Sequence, residues 1–158
     1  MIRAWYLGAA LLLGGCAQGP AKTAPAPTPE PAKPAGVFKI METPELASYF
    51  AAYSIALYHG NPQLRQFYIL HNYRDPARIG DDKPLVRSSR ALLVINCERD
   101  EKAQFGRTYF SEPFAQGVEV VSKNDIPQWE PFERQSMLGE LRNITCGLDP
   151  ARMRSSAK

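Results

Sequence analysis

The feature that most constrains the fold is the short spacing between successive β-rich segments across residues 53–122. Five segments are rich in β-branched and aromatic residues and are separated by turn-forming residues: 53–58, 64–74, 86–98, 105–111 and 117–122. Short connections allow antiparallel pairing, whereas parallel neighbours need a crossover of about a dozen residues or more. The sequence therefore predicts an antiparallel β-sheet meander of about five or six strands.

The apolar pattern changes after this meander. Five residues fall on one helical face and predict an amphipathic helix: Met137, Leu138, Leu141, Ile144 and Thr145. Gly147 is placed to end that helix. The uninterrupted apolar run 91–95 predicts a central strand that is buried on both faces. We expect an α+β domain with the C-terminal helix packed on one face of the sheet, and residues 37–50 fit either a short helix or the first strand.

The N-terminus has the pattern of an export signal. Arg3 precedes an almost uncharged stretch that is too short to remain as a membrane-spanning helix of about 20 residues. The segment Leu13-Gly14-Gly15-Cys16 resembles the bacterial lipobox, which predicts a signal peptide over residues 1–15 and lipid attachment at Cys16. The alternative is an ordinary secretory signal with a chance cysteine. Ala17, rather than aspartate, follows the cysteine and favours the outer membrane, without deciding which side the domain faces.

Residues 16–36 form a composition break that is rich in proline and alanine. Proline fixes φ and lacks an N–H donor, so this segment favours an extended spacer over a core element. At about 3.1 Å per residue the spacer reaches roughly 50 Å. A stalk is the preferred interpretation, and a proline-rich ligand for a partner domain is the alternative. The domain is expected over residues 37–150, followed by a disordered basic tail over residues 151–158.

The cysteines and histidines limit the chemistry of this domain. If Cys16 carries lipid, Cys97 and Cys146 remain as an even pair in an oxidising compartment, which predicts a disulfide. A metal-binding or catalytic thiol is the alternative, but the chain has only His59 and His71, and no CxxC or HxxH spacing. We therefore expect no metal and no cofactor.

The charge pattern argues against a nucleic-acid partner. The formal net charge is +3, and acidic and basic residues are mixed along the chain rather than clustered. A nucleic-acid binder needs a concentrated basic face.

Individual polar and aromatic residues give few site candidates. Trp129 either packs the start of the helix against the sheet or serves as an interface aromatic. His71 and Asp75 could form an acid–base pair, but no nucleophile accompanies them, and a surface histidine is the preferred interpretation. Ser88 and Ser89 lack nucleophile-elbow glycines and are expected to be sheet hydroxyls. The sequence does not predict an enzyme.

A spaced pattern across residues 67–147 resembles the surface-adhesin protein E family of Gram-negative lipoproteins. The residues that carry the resemblance are Ser88-Ser89, Asn96-Cys97-Glu98, Tyr109, Gly117, Trp129, Ser136, Leu141 and Thr145-Cys146. The resemblance implies an antiparallel sheet whose C-terminal helix is tied back by the disulfide between Cys97 and Cys146. It also implies an outer-membrane surface protein that contacts host extracellular-matrix and serum proteins.

These observations predict a membrane-anchored binding module. Its expected partner is a protein, either a host matrix or serum protein or a component of the cell envelope, and a homodimer through an exposed strand edge is a further expectation. The alternative is a periplasmic structural or assembly accessory lipoprotein. A hydrolase is the weakest alternative.

Overall fold

A computed structural model describes residues 32–156 of the chain. Within that range, six strands pair in chain order into one antiparallel sheet, curled into a half-barrel: β1 (Val37–Glu42), β2 (Leu46–Leu57), β3 (Leu64–Arg78), β4 (Leu85–Asn96), β5 (Glu101–Glu112) and β6 (Gln116–Lys123). A seventh strand, β7 (Glu130–Pro131), pairs with β5, and one helix, α1 (Met137–Cys146), follows. The predicted meander and C-terminal helix are confirmed.

The residues left open by the sequence are strands rather than a helix. Residues 37–42 form β1, and the predicted strand 53–58 is mostly the second half of β2, which begins at Leu46. β1 covers the outer edge of β2 only between Ala47 and Ala51. Short 3₁₀ turns lie at Tyr58–Gly60, between β2 and β3, and at Pro113–Ala115, between β5 and β6.

The two faces of the sheet carry separate apolar clusters. On the face that contacts α1, here called the helix face, the buried cluster contains Phe50, Phe67, Ile69, Leu93, Ile95 and Leu141. On the opposite face, Phe114 from the Pro113–Ala115 turn packs with Tyr49 and Leu70. β4 contributes buried residues to both faces, with Leu93 on the helix face and Val94 on the other. The prediction that residues 91–95 form a central strand is confirmed.

The buried face of α1 differs from the prediction at two of the five residues. Leu141 and Thr145 are buried, whereas Met137 and Ile144 are exposed. Two local contacts lie at the start of this helix. Gly139 lies against the backbone of Arg134, where an added Cβ would be 1.9 Å from the Arg134 carbonyl oxygen. The helix begins at its N-cap Ser136, whose Oγ accepts from the Gly139 N–H at 3.3 Å.

The tail prediction is wrong for residues 151–156, which are ordered. Pro150–Arg152 forms a 3₁₀ turn, and the backbone beyond it then pairs with the edge of β2. Leu57 N–H donates to the Arg154 carbonyl at 2.8 Å, and Ser156 N–H donates to the Leu57 carbonyl at 2.9 Å. The physical reason is that β1 stops short of Leu57, whose backbone groups would otherwise lack partners at a sheet edge.

The N-terminal predictions fall outside the part of the chain that the structure describes. These are the signal peptide, Cys16 and all but the last five residues of the predicted stalk. Among residues 32–156, no helix is long and apolar enough to cross a membrane.

Candidate binding surface

One end of the helix face is closed by a covalent and ionic clamp. Cys97, at the turn between β4 and β5, forms a disulfide with Cys146 at the end of α1, and their Cα atoms are 5.8 Å apart. Asp100 in the same turn accepts from Arg134 Nε at 2.6 Å and lies 2.9 Å from Arg142 Nε. Hydrogen bonding from Arg134 lowers the pKa of the Asp100 carboxyl. The clamp holds both ends of α1 against the β4–β5 turn.

A buried arginine at the end of α1 is a structural residue that sequence reasoning missed. Arg65 in β3 is 2% exposed. Its Nε donates to the Thr145 carbonyl at 3.1 Å, its Nη2 to the Leu148 carbonyl at 3.4 Å and its Nη1 to the Pro62 carbonyl at 2.6 Å. Burial lowers the pKa of Arg65. The guanidinium satisfies carbonyls at the helix C-terminus, where the macrodipole favours a cation.

The segment between β6 and β7, residues 124–129 and here called the crossing segment, exposes two large apolar side chains. Ile126 is 89% exposed and Trp129 is 43% exposed. Phe132, three residues beyond Trp129, packs against the helix-face cluster. The contact that the sequence suggested for Trp129 is therefore made by Phe132, and Trp129 keeps much of its surface accessible.

A groove of about 180 Å³ lies between the crossing segment and β5. Its lining includes Lys102, Gln104, Asp125, Ile126, Gln128 and Glu130. Lys102 forms an ion pair with Glu130, and hydrogen bonding from Lys102 lowers the pKa of that carboxyl. Gly106 makes the close approach of the crossing segment possible: it has φ +56°, and an added Cβ would lie 2.7 Å from the Lys123 carbonyl oxygen.

A cluster of polar side chains adjoins this groove on the helix face and is here called the recess: Ser48, His71, Tyr73, Ser89 and Arg107. Ser48, His71 and Ser89 are register partners across β2, β3 and β4, so their side chains share one face. Ser48 and Ser89 are fully buried. The other three side chains are half-buried. Two buried hydroxyl groups and three half-buried polar side chains therefore meet on this face of the sheet.

Two short hydrogen-bond chains hold the recess together. Ser48 Oγ and His71 Nδ1 are 2.8 Å apart, and Tyr73 Oη and Ser89 Oγ are 2.8 Å apart. Arg107 Nη1 donates to Ser89 Oγ at 3.2 Å, and its Nη2 donates to Gln104 Oε1 at 3.4 Å. Since Gln104 also lines the groove, the recess and the groove are continuous.

His71 corrects one sequence expectation. It is half-buried in the sheet rather than a surface histidine, and its hydrogen-bond partner is Ser48 rather than the exposed Asp75. Burial and the nearby Arg107 charge lower the pKa of His71 from 6.5 to about 4. His71 is therefore neutral near pH 7, and the alternative acid–base pair with Asp75 is not assembled either.

The two serines singled out from the sequence both serve the sheet. Ser88, on the face opposite the helix, donates from Oγ to the Glu112 carbonyl at 2.5 Å and accepts from Ala115 N–H at 2.9 Å. Ser89 bonds to Tyr73 and Arg107 on the helix face. Both are fully buried hydroxyls with side-chain or backbone partners, which confirms their prediction as sheet hydroxyls.

The arrangement of cysteine pair, sheet and helix matches a known family. The model of the surface-adhesin protein E family matches residues 38–147, which include both cysteines, the crossing segment and α1. The chain belongs to the surface-adhesin protein E family. This confirms the resemblance seen in the sequence, and the family is one of surface adhesins.

Solved structures of a family member have the same fold. A structure of Haemophilus influenzae protein E aligns with a TM-score of 0.63 at 19% identity, covering 76% of this chain and 90% of that one. A structure of protein E from non-typeable Haemophilus influenzae aligns with a TM-score of 0.65 at 18% identity, covering 82% of this chain and 87% of that one. At this identity the likeness concerns the fold.

Proposed function

We propose that this adhesin E protein is an outer-membrane lipoprotein, anchored through Cys16, that binds a host matrix or serum protein through the crossing segment and the adjoining groove. The observation that carries the proposal is the exposure of Ile126 and Trp129 within one six-residue segment. Large exposed apolar side chains mark interaction sites, and tryptophan is enriched among the residues that dominate binding energy.

The crossing segment is held at both ends, which favours binding. At one end β6 pairs with β5, and at the other β7 pairs with β5 through Lys102 and Glu130. The ion pair between Arg134 and Asp100 fixes the chain just beyond β7. Because a restrained segment loses little conformational entropy on binding, its contacts contribute more fully to affinity.

The anchor part of the proposal rests on the sequence. The lipobox-like segment ends at Cys16, and the proline- and alanine-rich spacer follows it. An acyl-anchored cysteine at the start of an extended spacer of roughly 50 Å would carry the domain beyond the lipid headgroups. Replacing Cys16 with alanine in the full chain should release the protein from the membrane fraction, and retention of that variant in the outer membrane would contradict lipid anchoring.

The binding surface can be tested with the full chain displayed on bacterial cells. Cells carrying Trp129→Ala should bind surfaces coated with matrix or serum proteins at least about tenfold more weakly than wild type, as expected of a central interface aromatic. Val118→Ala is a matched control, because Val118 is an exposed apolar residue on β6 outside the crossing segment. Protease treatment of intact cells establishes display. Equal binding by the two variants would contradict this placement of the surface.

A further inference from the structure

We propose that the recess around Arg107 receives a carboxylate from an acidic segment of the protein ligand, with an apolar residue of the same segment contacting the crossing segment. The inference rests on the proposed binding surface and deepens it by naming the chemistry of the partner. It assigns Arg107 as a recognition residue for an aspartate or glutamate side chain.

Arg107 is a cation whose protein partners are neutral. Its hydrogen bonds go to the hydroxyl of Ser89 and the amide oxygen of Gln104, both at 3.2 Å or more. Among residues 32–156, the ion pairs involve other arginines and lysines, and none includes Arg107. A guanidinium has five N–H donors, so these two bonds leave most of its donor capacity for a ligand. A carboxylate is the group that matches this planar fork best.

The sign of the local charge favours an anion. Lys123 is the register partner of Arg107 on β6, and its Nζ lies 5.9 Å from the ring centroid of Tyr109 on the same face. Lys102 lines the adjoining groove and is already paired with Glu130, while Asp125 is a second carboxylate in that groove. A cationic ligand group at the recess would meet Arg107 and Lys123, so the field there selects a negative charge.

The recess holds Arg107 in one orientation. Ser89 Oγ bonds both to Arg107 and to Tyr73, and Ser89 is fully buried in the central strand of the sheet. Gln104, on the same strand as Arg107, accepts a hydrogen bond from the other terminal nitrogen, Nη2, of the guanidinium. A guanidinium restrained by partners on two strands needs little reorganisation to bind a carboxylate, and preorganisation of this kind increases affinity.

The groove favours a peptide segment over a free acid. Gln104 joins the recess to the groove, and the groove is lined on its other side by Ile126 of the crossing segment. A ligand that spans both regions therefore meets an apolar contact and a cation in succession. An acidic residue followed within a few positions by a large apolar residue provides both groups on one extended chain.

The test uses the full lipoprotein in detergent micelles and two blocked peptides as probes, Ac-Glu-Gly-Leu-Gly-NH₂ and the same peptide with glutamine in place of glutamate. Binding is followed through tryptophan fluorescence. Wild type should bind the glutamate peptide at least about tenfold more tightly than the glutamine peptide, the ratio that corresponds to about 1.4 kcal/mol. In Arg107→Gln the two affinities should agree within about twofold.

Arg90→Gln is the matched control for loss of one sheet arginine. Arg90 lies on the opposite face, with its guanidinium carbon 4.7 Å from the Tyr68 ring centroid, and its loss should leave the preference for glutamate intact. Thermal unfolding of each variant checks that it is folded. A preference for glutamate that survives Arg107→Gln, or that is absent in wild type, would overturn the assignment.

Three further outcomes are informative, and the two that involve Trp129→Ala separate this inference from the proposed function. Hyaluronate oligosaccharides that displace the glutamate peptide and bind Arg107 more tightly would overturn the assignment to a protein segment in favour of an acidic sugar. Loss of cell binding in Trp129→Ala, together with equal affinity for both peptides, would overturn the Arg107 inference and leave the proposed surface standing. Unchanged cell binding in Trp129→Ala would instead contradict the surface itself.

Discussion

The two ends of the helix face are built from the same strands but differ in chemistry. At the covered end, Phe50, Phe67 and Leu93 pack under Leu141 of α1. At the open end, two to four residues away along the same strands, Ser48, His71 and Ser89 take their place. The ten residues of α1 extend over about 15 Å, whereas the twelve residues of β4 extend over about 40 Å.

This difference indicates that stabilising contacts and binding groups lie at opposite ends of the helix face. A short helix can shield only part of one face, so the rest must be polar or be covered by a partner. The covered end carries the disulfide, the Asp100 ion pairs and Arg65, all of which fix α1. The open end carries Arg107, a half-buried cation whose protein partners are neutral. Substitutions at the covered end should therefore change stability, and substitutions at the open end should change binding.

The largest expected effect comes from removing the disulfide at the covered end. The double variant Cys97→Ser/Cys146→Ser opens a covalent loop with a sequence separation of 49, which should lower the free energy of unfolding by about 3–4 kcal/mol. Urea titration of the oxidised wild type, the reduced wild type and the double variant measures it. A loss below about 1 kcal/mol would show that the noncovalent contacts of α1 already fix the covered end.

The next largest effect is the loss of stability on replacing Arg65, compared with that on replacing Arg107. Arg65→Met leaves carbonyls of Thr145, Leu148 and Pro62 without their donor and should cost about 2–3 kcal/mol. Arg107→Met, at the open end, removes bonds to neutral and partly exposed groups and should change stability by no more than about 0.5 kcal/mol. Chemical denaturation of both variants provides the comparison. Equal losses would contradict the division between the two ends.

A smaller effect at the open end is the pH dependence that His71 gives to the free energy of unfolding. Its pKa is about 4 in the folded chain, below the ordinary histidine value of 6.5, so the unfolded state binds more protons between these values. The contribution of neutral His71 is therefore fully present above pH 6.5 and is lost as pH falls toward 4. Since the ring is half-buried, solvent screening reduces the expected loss to about 1 kcal/mol.

Unfolding of wild type and His71→Asn between pH 7 and pH 5 isolates this group. The carboxyls of Glu42, Asp100 and Glu130 have lowered pKa values and contribute mainly at more acidic pH. The wild type should lose stability across this interval and His71→Asn should lose less. Parallel pH dependence in the two proteins would show that burial of His71 does not oppose its protonation.

The smallest effect concerns the electrostatic coupling between Arg107 and His71 at the open end. The positive charge of Arg107 contributes, after burial, to the low pKa of His71. Arg107→Met should therefore raise the pKa of His71 by a fraction of a unit, while burial keeps it below 6.5. Proton NMR titration of the imidazole measures this shift. An unchanged pKa would indicate that Arg107 points away from His71 in solution.

The parts of the fold that the sequence predicted depend on local patterns. Short spacings between β-rich segments required antiparallel pairing, and the run 91–95 indicated burial on both faces. The family pattern and the even cysteine pair both pointed to the bond between Cys97 and Cys146. These features can be recognised without knowing which residues meet across the fold.

The remaining features depend on contacts between distant residues. The rotation of α1 was missed because Met137 and Ile144 are as apolar as the residues that are buried, and packing of Leu141 against the distant sheet residues decides which face is covered. The recess was missed because it requires the register of three strands, two of which contain bulges. Arg65 has no local signal for its burial, since two of its three partners, Thr145 and Leu148, lie about 80 positions later in the chain. Order in residues 151–156 follows from the exposed edge at Leu57.

Hydrogen exchange of the displayed domain, measured free and bound to a surface coated with serum or matrix protein, tests the central claim most directly. The account predicts slower exchange in residues 104–109 of β5 and in residues 124–131 on binding. Exchange in α1 should change little, because its stability comes from the clamp rather than from the ligand. Protection confined to α1 or to the β1 edge, with the crossing segment unchanged, would contradict the account.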